Sequence, residues 1–232
     1  MATPLQKAAA WSVHIYTAAG AVCGFGALVA TAEHNYRLAF LWLVGATAID
    51  ASDGVLARAA HVKERTPGFD GARLDDIVDY LTYVVAPLFV LYSAGSLPAG
   101  WGTGVAATVL LSSAYGFASA DAKADDYFFT GFPSYWNIVA VYLHAAGLPR
   151  PVNAAILLLL SVLVFVRIGY VYPSRTPVLR GLTTGLGLVW AVMVVAIIWT
   201  IPQVPRPLLI GSLFFPFYYT VLSLVLHRRR RI

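Results

Sequence analysis

Four aspartates occur in two closely spaced pairs on segments that are otherwise apolar. Asp50 and Asp53 are three residues apart, and Asp75 and Asp79 are four residues apart. Each spacing places both carboxylates of a pair on one face of a helix. A charged residue at the centre of a bilayer costs about 2.5–3.5 kcal/mol, so four carboxylates require a cationic partner. Because carboxylate oxygens are hard ligands, the pattern predicts two Mg²⁺ or Mn²⁺ ions that clamp a phosphate.

Small residues and one arginine surround these acids. Gly54 and Ala57 follow Asp50 on the same helix face, and Gly71 lies about one turn before the second pair. Where side chains are small or missing, a bulky planar ligand or another backbone segment can approach closely. Arg58 can donate a forked pair of hydrogen bonds to a phosphate. Together with a two-metal site, these residues suggest a nucleotide diphosphate as substrate.

The rest of the chain predicts a membrane protein. Its 232 residues are 59% hydrophobic and only 12% charged, and the mean hydropathy is +0.72. This composition excludes an ordinary soluble domain. Since a bilayer span takes about 20 residues, we expect one all-α domain, residues 1–232, built as a polytopic bundle of about eight transmembrane helices. The expected spans are Trp11–Thr31, Leu38–Ala57, Ile77–Ser96, Gly102–Ala120, Phe132–Ala146, Asn153–Val171, Leu182–Ile201 and Leu208–Leu226.

The positions of Lys and Arg predict the orientation of this bundle. With the N-terminus in the cytoplasm, only Arg37, Arg150 and Arg206 fall on the opposite side, in agreement with the positive-inside rule. Both termini and both aspartate pairs are then expected on the cytoplasmic side. Arg175 and Arg180 are candidates for binding lipid phosphate or for enforcing topology. No nucleic-acid partner is expected, because no soluble domain is available to present the basic residues.

Two other interpretations of the aspartates are open. Paired carboxylates in membrane helices can form a proton relay or an ion pathway, so a cation transporter is one alternative. Small residues at this spacing also occur where helices pack together. A transporter would need neither the Asp-Gly-x-x-Ala-Arg order nor the second glycine, so the complete set favours an enzyme.

The stretch D50-x-x-D-G-x-x-A-R, followed by G71-x-x-x-D-x-x-x-D79, resembles the motif of the CDP-alcohol phosphotransferases. These are membrane enzymes that join a CDP-linked group to an alcohol. The interval Ala59–Asp70 is longer than is usual in the family, and in this it resembles a bacterial branch that uses choline. Further segments agree with that branch: S12-V-H-I-Y-T, A32-E-H, V62-K-E, D76-I-V-D-Y-L-T-Y-V, D126-Y-F-F-T-G-F-P-S-Y-W-N and Y172-P-S-R-T.

The resemblance implies a role for each residue of the motif. The four aspartates, Asp50, Asp53, Asp75 and Asp79, would hold two divalent cations, Mn²⁺ or Mg²⁺. The residues expected to bind CDP are Asp53, Gly54, Ala57, Arg58, Gly71 and Asp75. Asp79 would be the general base, which takes the proton of the incoming hydroxyl group as that oxygen attacks the lipid-linked phosphorus of CDP-diacylglycerol. The resemblance also implies a homodimer in the bacterial inner membrane, in contact with membrane lipids.

The acceptor is expected to be choline, whose quaternary ammonium group has no hydrogen-bond donor and is recognised by aromatic faces. Tyr83 lies one turn beyond Asp79, and further aromatic residues cluster around the second cytoplasmic loop. The residues expected to bind choline are Tyr83, Tyr115, Trp136, Asp121 and Tyr127, with Phe128, Phe129 and Tyr135 in the same cluster. The alternative is a sister enzyme that uses serine, inositol or glycerol phosphate, of which the last would want an additional basic pocket.

Overall fold

A bundle of helices makes up most of the chain. The computed structural model describes residues 3–119, 123–124, 128–172 and 176–230. The α-helices are α1 (Pro4–Ala32), α2 (Tyr36–Ala59), α3 (Val62–Arg65), α4 (Gly71–Asp79), α5 (Ala86–Ser93), α6 (Gly102–Ala118), α7 (Trp136–Ala146), α8 (Arg150–Phe165), α9 (Arg180–Thr200), α10 (Arg206–Ser212) and α11 (Phe214–Arg230).

Polar caps define where the first helices begin. Thr3 Oγ1 accepts a hydrogen bond from Gln6 N, and Gln6 Oε1 accepts one from Thr3 N, which closes a capping box before α1. Asn35 Oδ1 accepts from Leu38 N at the start of α2. Asp70 Oδ1 accepts from Arg73 N and caps α4 in the same way. Because Asp70 sets the start of α4, it also sets the positions of Asp75 and Asp79.

A π-helix, Tyr80–Val85, joins α4 directly to α5. The three segments therefore form one continuous helix from Gly71 to Ser93, which we call the composite helix. Within it, Tyr80 OH donates to the carbonyl of Leu110 in α6 at 2.9 Å. π-Helical turns are rare and frequently occur at functional sites.

The helices confirm the predicted all-α, polytopic bundle. Four are long and apolar enough to cross a membrane: Pro4–Ala32, Tyr36–Ala59, Arg180–Thr200 and Arg206–Arg229, the last of which combines α10 and α11. Three shorter apolar helices, α6, α7 and α8, accompany them. With the composite helix, the described residues supply one helical segment for each of the predicted spans. Large apolar side chains such as Phe25, Val192 and Phe217 lie exposed on the outside, as expected for a surface that faces lipid.

Glycines let α1 pack closely against the composite helix. A Cβ atom at Gly20 would lie 2.6 Å from Val78 Cγ1, and one at Gly24 would lie 2.7 Å from Leu81 Cδ2. Such contacts are typical of helix interfaces in membranes, where small residues let two backbones approach. The core is continuous beyond this contact, and its largest fully buried side chains include Trp136 and Phe40.

A small antiparallel sheet was not expected from the sequence. Its strands are β1 (Lys123–Ala124), β2 (Phe128–Thr130) and β3 (Gly169–Val171), in the order β1-β2-β3. Phe129 pairs with Tyr170, and Thr130 pairs with Gly169. The sheet adds to the helical bundle without changing its class.

Two of the predicted spans have different limits because of this sheet. The sixth span was expected to reach Val171, but α8 ends at Phe165 and the chain then enters β3. The fifth was expected to begin at Phe132, whereas α7 begins at Trp136. Phe132 N instead donates to Leu163 O, and Gly131 N donates to Ile168 O, so this loop satisfies carbonyls at the end of α8.

The helix α11 supports the outer strand of the sheet. Val171 N donates to Ser223 Oγ at 3.1 Å, and Gly169 N donates to His227 Nδ1 at 3.1 Å. Tyr219 OH donates to Val171 O at 3.0 Å. Side chains of a helix thus take the hydrogen-bonding positions that another strand would occupy at this edge.

Candidate active site

Three of the four aspartates meet at one point. Asp50 of α2 and Asp75 and Asp79 of α4 each place one carboxylate oxygen within 4.8 Å of the others, and all three are partly buried. The cluster therefore needs both helices, and α2 and α4 are brought together because each packs against α1. An all-oxygen donor set of this kind fits a hard divalent cation.

Asp53 lies outside this cluster. It is 7% exposed, and its Oδ2 accepts a hydrogen bond from Thr17 Oγ1 of α1 at 2.8 Å. The three-residue spacing places Asp53 near the face of Asp50, but the side chain turns toward α1. The role of Asp53 as a fourth metal ligand stays a prediction.

Tyr83 contacts the cluster directly. Its hydroxyl group donates to Asp50 Oδ2 at 2.7 Å, and the residue is 9% exposed. Tyr83 belongs to the π-helix Tyr80–Val85, so it reaches back from the composite helix to the carboxylate on α2. Because charge-assisted hydrogen bonds are short and strong, this contact orients the Asp50 carboxylate.

The cluster forms one wall of a cleft that holds about 890 Å³ of empty space, part of it open to solvent. Acidic and aromatic side chains line the cleft together, and one of the aromatic residues, Tyr83, is bonded directly to an acid. The residues that line the cleft are Asp50, Asp75, Asp76, Asp79, Tyr83, Gly116, Phe117, Phe129, Thr130, Phe132, Pro133, Ser134, Tyr135, Val164 and Tyr172. This lining, which consists of described residues, includes no lysine, arginine, histidine or amide side chain.

Tyr135 also lines the cleft, with its ring centroid 6.2 Å from that of Tyr83. Burial first, then the neighbouring Tyr172 and the carboxylates of Asp50 and Asp79, raise the pKa of its phenol well above the ordinary value. Tyr135 therefore keeps its proton across the physiological range and adds no further negative charge to the cleft.

Most of the residues predicted to bind CDP lie outside the lining of the cleft. Asp75 lines the cleft, whereas Asp53 and Ala57 face α1. Gly54 lies beside Arg58, since a Cβ atom at Gly54 would be 3.4 Å from Arg58 Nη1. Arg58 itself is exposed at the end of α2. The structure therefore brings one of the predicted CDP residues into the cleft and leaves the others beside it in the motif.

Gly71 has a structural contact that the motif alone did not reveal. A Cβ atom at Gly71 would lie 2.8 Å from Cε1 of His14, a buried residue of α1. The imidazole Nε2 of His14 is 3.0 Å from Thr66 Oγ1, and its ring centroid is 4.4 Å from that of Phe69. The absence of a side chain at Gly71 thus lets His14 fasten the loop before α4 to α1.

The structure separates the aromatic residues predicted to bind choline. Tyr83 lines the cleft, but Trp136 is 1% exposed in the core, where its Nε1 donates to Ser113 Oγ at 2.7 Å. Tyr115 is 55% exposed and packs its ring against Phe165, outside the cleft lining. Trp136 and Tyr115 therefore do not line the cleft. The sequence did not show which helix face each of these residues occupies.

The remaining predicted residues lie elsewhere. Asp121, Tyr127 and Arg175 are outside the described residues. Arg180 is exposed at the first position of α9. Tyr172, which sequence reasoning did not select, lines the cleft directly after β3. The aromatic and β-branched run Tyr170–Tyr172 before a proline is a strand signal that could have located it.

Comparisons with known proteins give one consistent result, although no family model matches the chain. A phosphatidylcholine synthase of Legionella pneumophila is 47% identical over 172 residues, which are 73% of this chain and 67% of that protein. The phosphatidylcholine synthase of Rhizobium meliloti is 37% identical over 96% of this chain and 92% of its own length. That of Pseudomonas aeruginosa is 36% identical over 94% of this chain and 92% of its own length.

Proposed function

The chain belongs to the phosphatidylcholine synthase family, and from this premise we propose the reaction and the role of each residue. As a phosphatidyltransferase of phospholipid biosynthesis, it transfers the phosphatidyl group of CDP-diacylglycerol to choline. The products are phosphatidylcholine and CMP. The observation that carries the assignment of the site is the meeting of Asp50, Asp75 and Asp79 at the wall of an open cleft.

The acidic cluster is proposed to hold the divalent cations, Mn²⁺ or Mg²⁺. Asp50, Asp75 and Asp79 supply hard oxygen donors from two helices, and Asp53 would join them if its carboxylate turned from Thr17. Divalent cations bound there would neutralise the negative charge of the phosphates and of the departing CMP. Tyr83 keeps the Asp50 carboxylate in one orientation for this purpose.

Asp79 is proposed to be the general base. It takes the proton of the choline hydroxyl group as that oxygen forms a bond to the phosphorus that carries diacylglycerol. The bond from this phosphorus to the oxygen of CMP then breaks. A free carboxylate is a weak base for an alcohol, so the proximity of the two substrates contributes much of the rate.

Separate positions for CDP and for the acceptor would suit an in-line displacement. Arg58, which lies beside Gly54, is proposed to bind a phosphate of the CDP group, with Ala57 and Gly71 nearby in the motif. The cleft, which these four residues do not line, is proposed to admit the acceptor. An acceptor that enters through the cleft would attack the phosphorus opposite the leaving CMP, as in-line geometry requires.

The lining of the cleft favours choline over the sister acceptors. A carboxylate on serine or a phosphate on glycerol phosphate would call for a cationic side chain, and the described lining has none. Inositol carries no charge, so it would gain nothing from the carboxylates and aromatic faces that attract an ammonium group. Membership of this enzyme family does not support the alternative function of a cation transporter.

The surroundings of the site are proposed as follows. The chain is a membrane protein, and we place it in the bacterial inner membrane with both termini and the site on the cytoplasmic side. We treat residues 1–232 as one catalytic domain. Arg175 and Arg180 are candidates for contacts with lipid phosphate. We also propose a homodimer, a proposal that rests on the family resemblance.

One assay tests the proposal. Purified protein in lipid is given CDP-diacylglycerol and Mn²⁺, and the release of CMP is measured with choline, serine, inositol or glycerol phosphate. We expect release of CMP only when choline is the acceptor, and no release after the metal has been chelated. Release that depends on serine or another sister acceptor would refute the assignment of choline. Uptake of choline without any release of CMP would instead support a transporter.

A further inference from the structure

We propose that four aromatic rings in the cleft bind the quaternary ammonium group of the acceptor, an inference that rests on the proposed function. They are Tyr83, Phe129, Tyr135 and Tyr172, and we call them the aromatic wall. They come from the π-helix, from β2, from the residue before α7 and from the residue after β3. The sequence predicted Tyr83 for choline and placed Phe129 and Tyr135 in the same aromatic cluster, whereas it did not select Tyr172.

The rings follow one another along the cleft. The ring centroids of Tyr83 and Tyr135 are 6.2 Å apart, and those of Tyr135 and Phe129 are 6.3 Å apart at an interplanar angle of 85°. Phe129 and Tyr172 are 4.7 Å apart and tilted by 31°. A trimethylammonium group within about 6 Å of a ring centroid is attracted by the negative face of the ring. Neighbouring rings at these spacings can therefore contact one such group together.

The small sheet directs Phe129 into the cleft. Successive side chains of a strand point to opposite faces, and Phe128 packs with Val171, Leu222 and Leu226 on the side of α11. Phe129 accordingly points away from α11 and lines the cleft beside the acids. Phe128 has a packing role, whereas Phe129 leaves part of its ring accessible.

The chemistry of the cleft matches the two ends of choline. Its quaternary ammonium group donates no hydrogen bond, so aromatic faces and nearby negative charge are the means of recognising it. Asp79 lines the same cleft and can meet the hydroxyl group. The described lining offers no cationic side chain that would repel the ammonium group. Choline therefore fits with its charged end against the aromatic wall and its hydroxyl group toward the acids.

The experiment compares choline with 3,3-dimethylbutan-1-ol, in which a carbon atom replaces the charged nitrogen in the same shape. The variants are Phe129→Leu and Tyr172→Leu, which keep an apolar side chain but remove the ring. Phe165→Leu is the matched control, because that ring is 56% exposed outside the cleft. The measured quantities are the KM of each acceptor, the KM of CDP-diacylglycerol, and inhibition by tetramethylammonium, which carries the cationic group alone.

We expect each variant of the wall to raise the KM of choline about tenfold, with a parallel loss of inhibition by tetramethylammonium. The KM of CDP-diacylglycerol should change little. The same holds for the KM of the neutral alcohol, which we expect to be a poor acceptor. The inference is overturned if both variants keep the choline KM of the Phe165→Leu control, or if the KM of CDP-diacylglycerol rises in parallel. A wild-type protein that releases no CMP in response to choline would instead overturn the proposed function, and the inference with it.

Discussion

The hydrogen bond from Tyr83 to Asp50 gives the most direct test of the site. The substitution Tyr83→Phe removes the hydroxyl group that donates to Asp50 Oδ2 at 2.7 Å, but it keeps the ring in the cleft. A hydrogen bond to a charged group contributes about 1.5–3 kcal/mol. At 1.4 kcal/mol for each factor of ten, its loss corresponds to roughly a 10- to 100-fold weaker interaction.

We expect this loss to appear as weaker metal binding, because groups that orient a ligand change metal affinity or activity by about 10- to 100-fold. The assay is the release of CMP at increasing Mn²⁺, with both substrates saturating. The half-saturating concentration of Mn²⁺ should rise by about this factor, whereas the KM of choline should change little because the aromatic ring remains.

Tyr80→Phe is the matched control. Tyr80 belongs to the same π-helix, and its hydroxyl group donates to Leu110 O at 2.9 Å, away from the cleft. The variant should keep the metal dependence of the wild type. If Tyr83→Phe needs no more Mn²⁺ than Tyr80→Phe, the hydroxyl group of Tyr83 does not position a metal ligand, and the reasoning is refuted.

Three further predictions concern the base, the loop and the sheet. Asp79→Asn should lower turnover at least about 100-fold while CDP-diacylglycerol still binds in a direct binding assay; near-normal turnover would contradict the role of the base. Gly71→Ala should lower the thermal unfolding temperature, because its Cβ atom would lie 2.8 Å from the His14 ring, and it should cost less in a His14→Ala background; equal losses in both backgrounds would argue against this contact. His227→Ala removes the acceptor of Gly169 N and should lower the free energy of unfolding by about 1 kcal/mol. It should also raise the KM of choline; an unchanged KM would mean that α11 does not position the aromatic wall.

The class of the protein and the centre of the site followed from the sequence. Carboxylates are costly in a bilayer, so Asp50, Asp75 and Asp79 on apolar helices already implied a bound cation. Helical spacing placed each pair on one face, and the structure brings these three residues together. The family resemblance, carried by the motif and the long interval Ala59–Asp70, is confirmed by relatives over most of the chain.

The aromatic residues show why the lining of the cleft was harder to predict. Trp136 and Tyr135 are adjacent in sequence, yet one is fully buried with its Nε1 bonded to Ser113 and the other lines the cleft. Aromatic residues are common near membrane interfaces, so residue type did not separate packing from binding. The strand that orients Phe129 is three residues long and pairs with a segment about forty positions away, which local periodicity does not reveal.

The sequence by itself thus determined the membrane-spanning class and the acidic cluster, because charge, hydropathy and helical spacing are local properties, and the motif resemblance supplied the family. The tertiary structure decided that Asp53 turns toward Thr17, that Tyr83 holds Asp50 and that His14 fills the space at Gly71. It also decided which aromatic rings face the acids. These features depend on the rotation of helices about their axes and on the pairing of distant strands, and both are set by packing across the whole bundle.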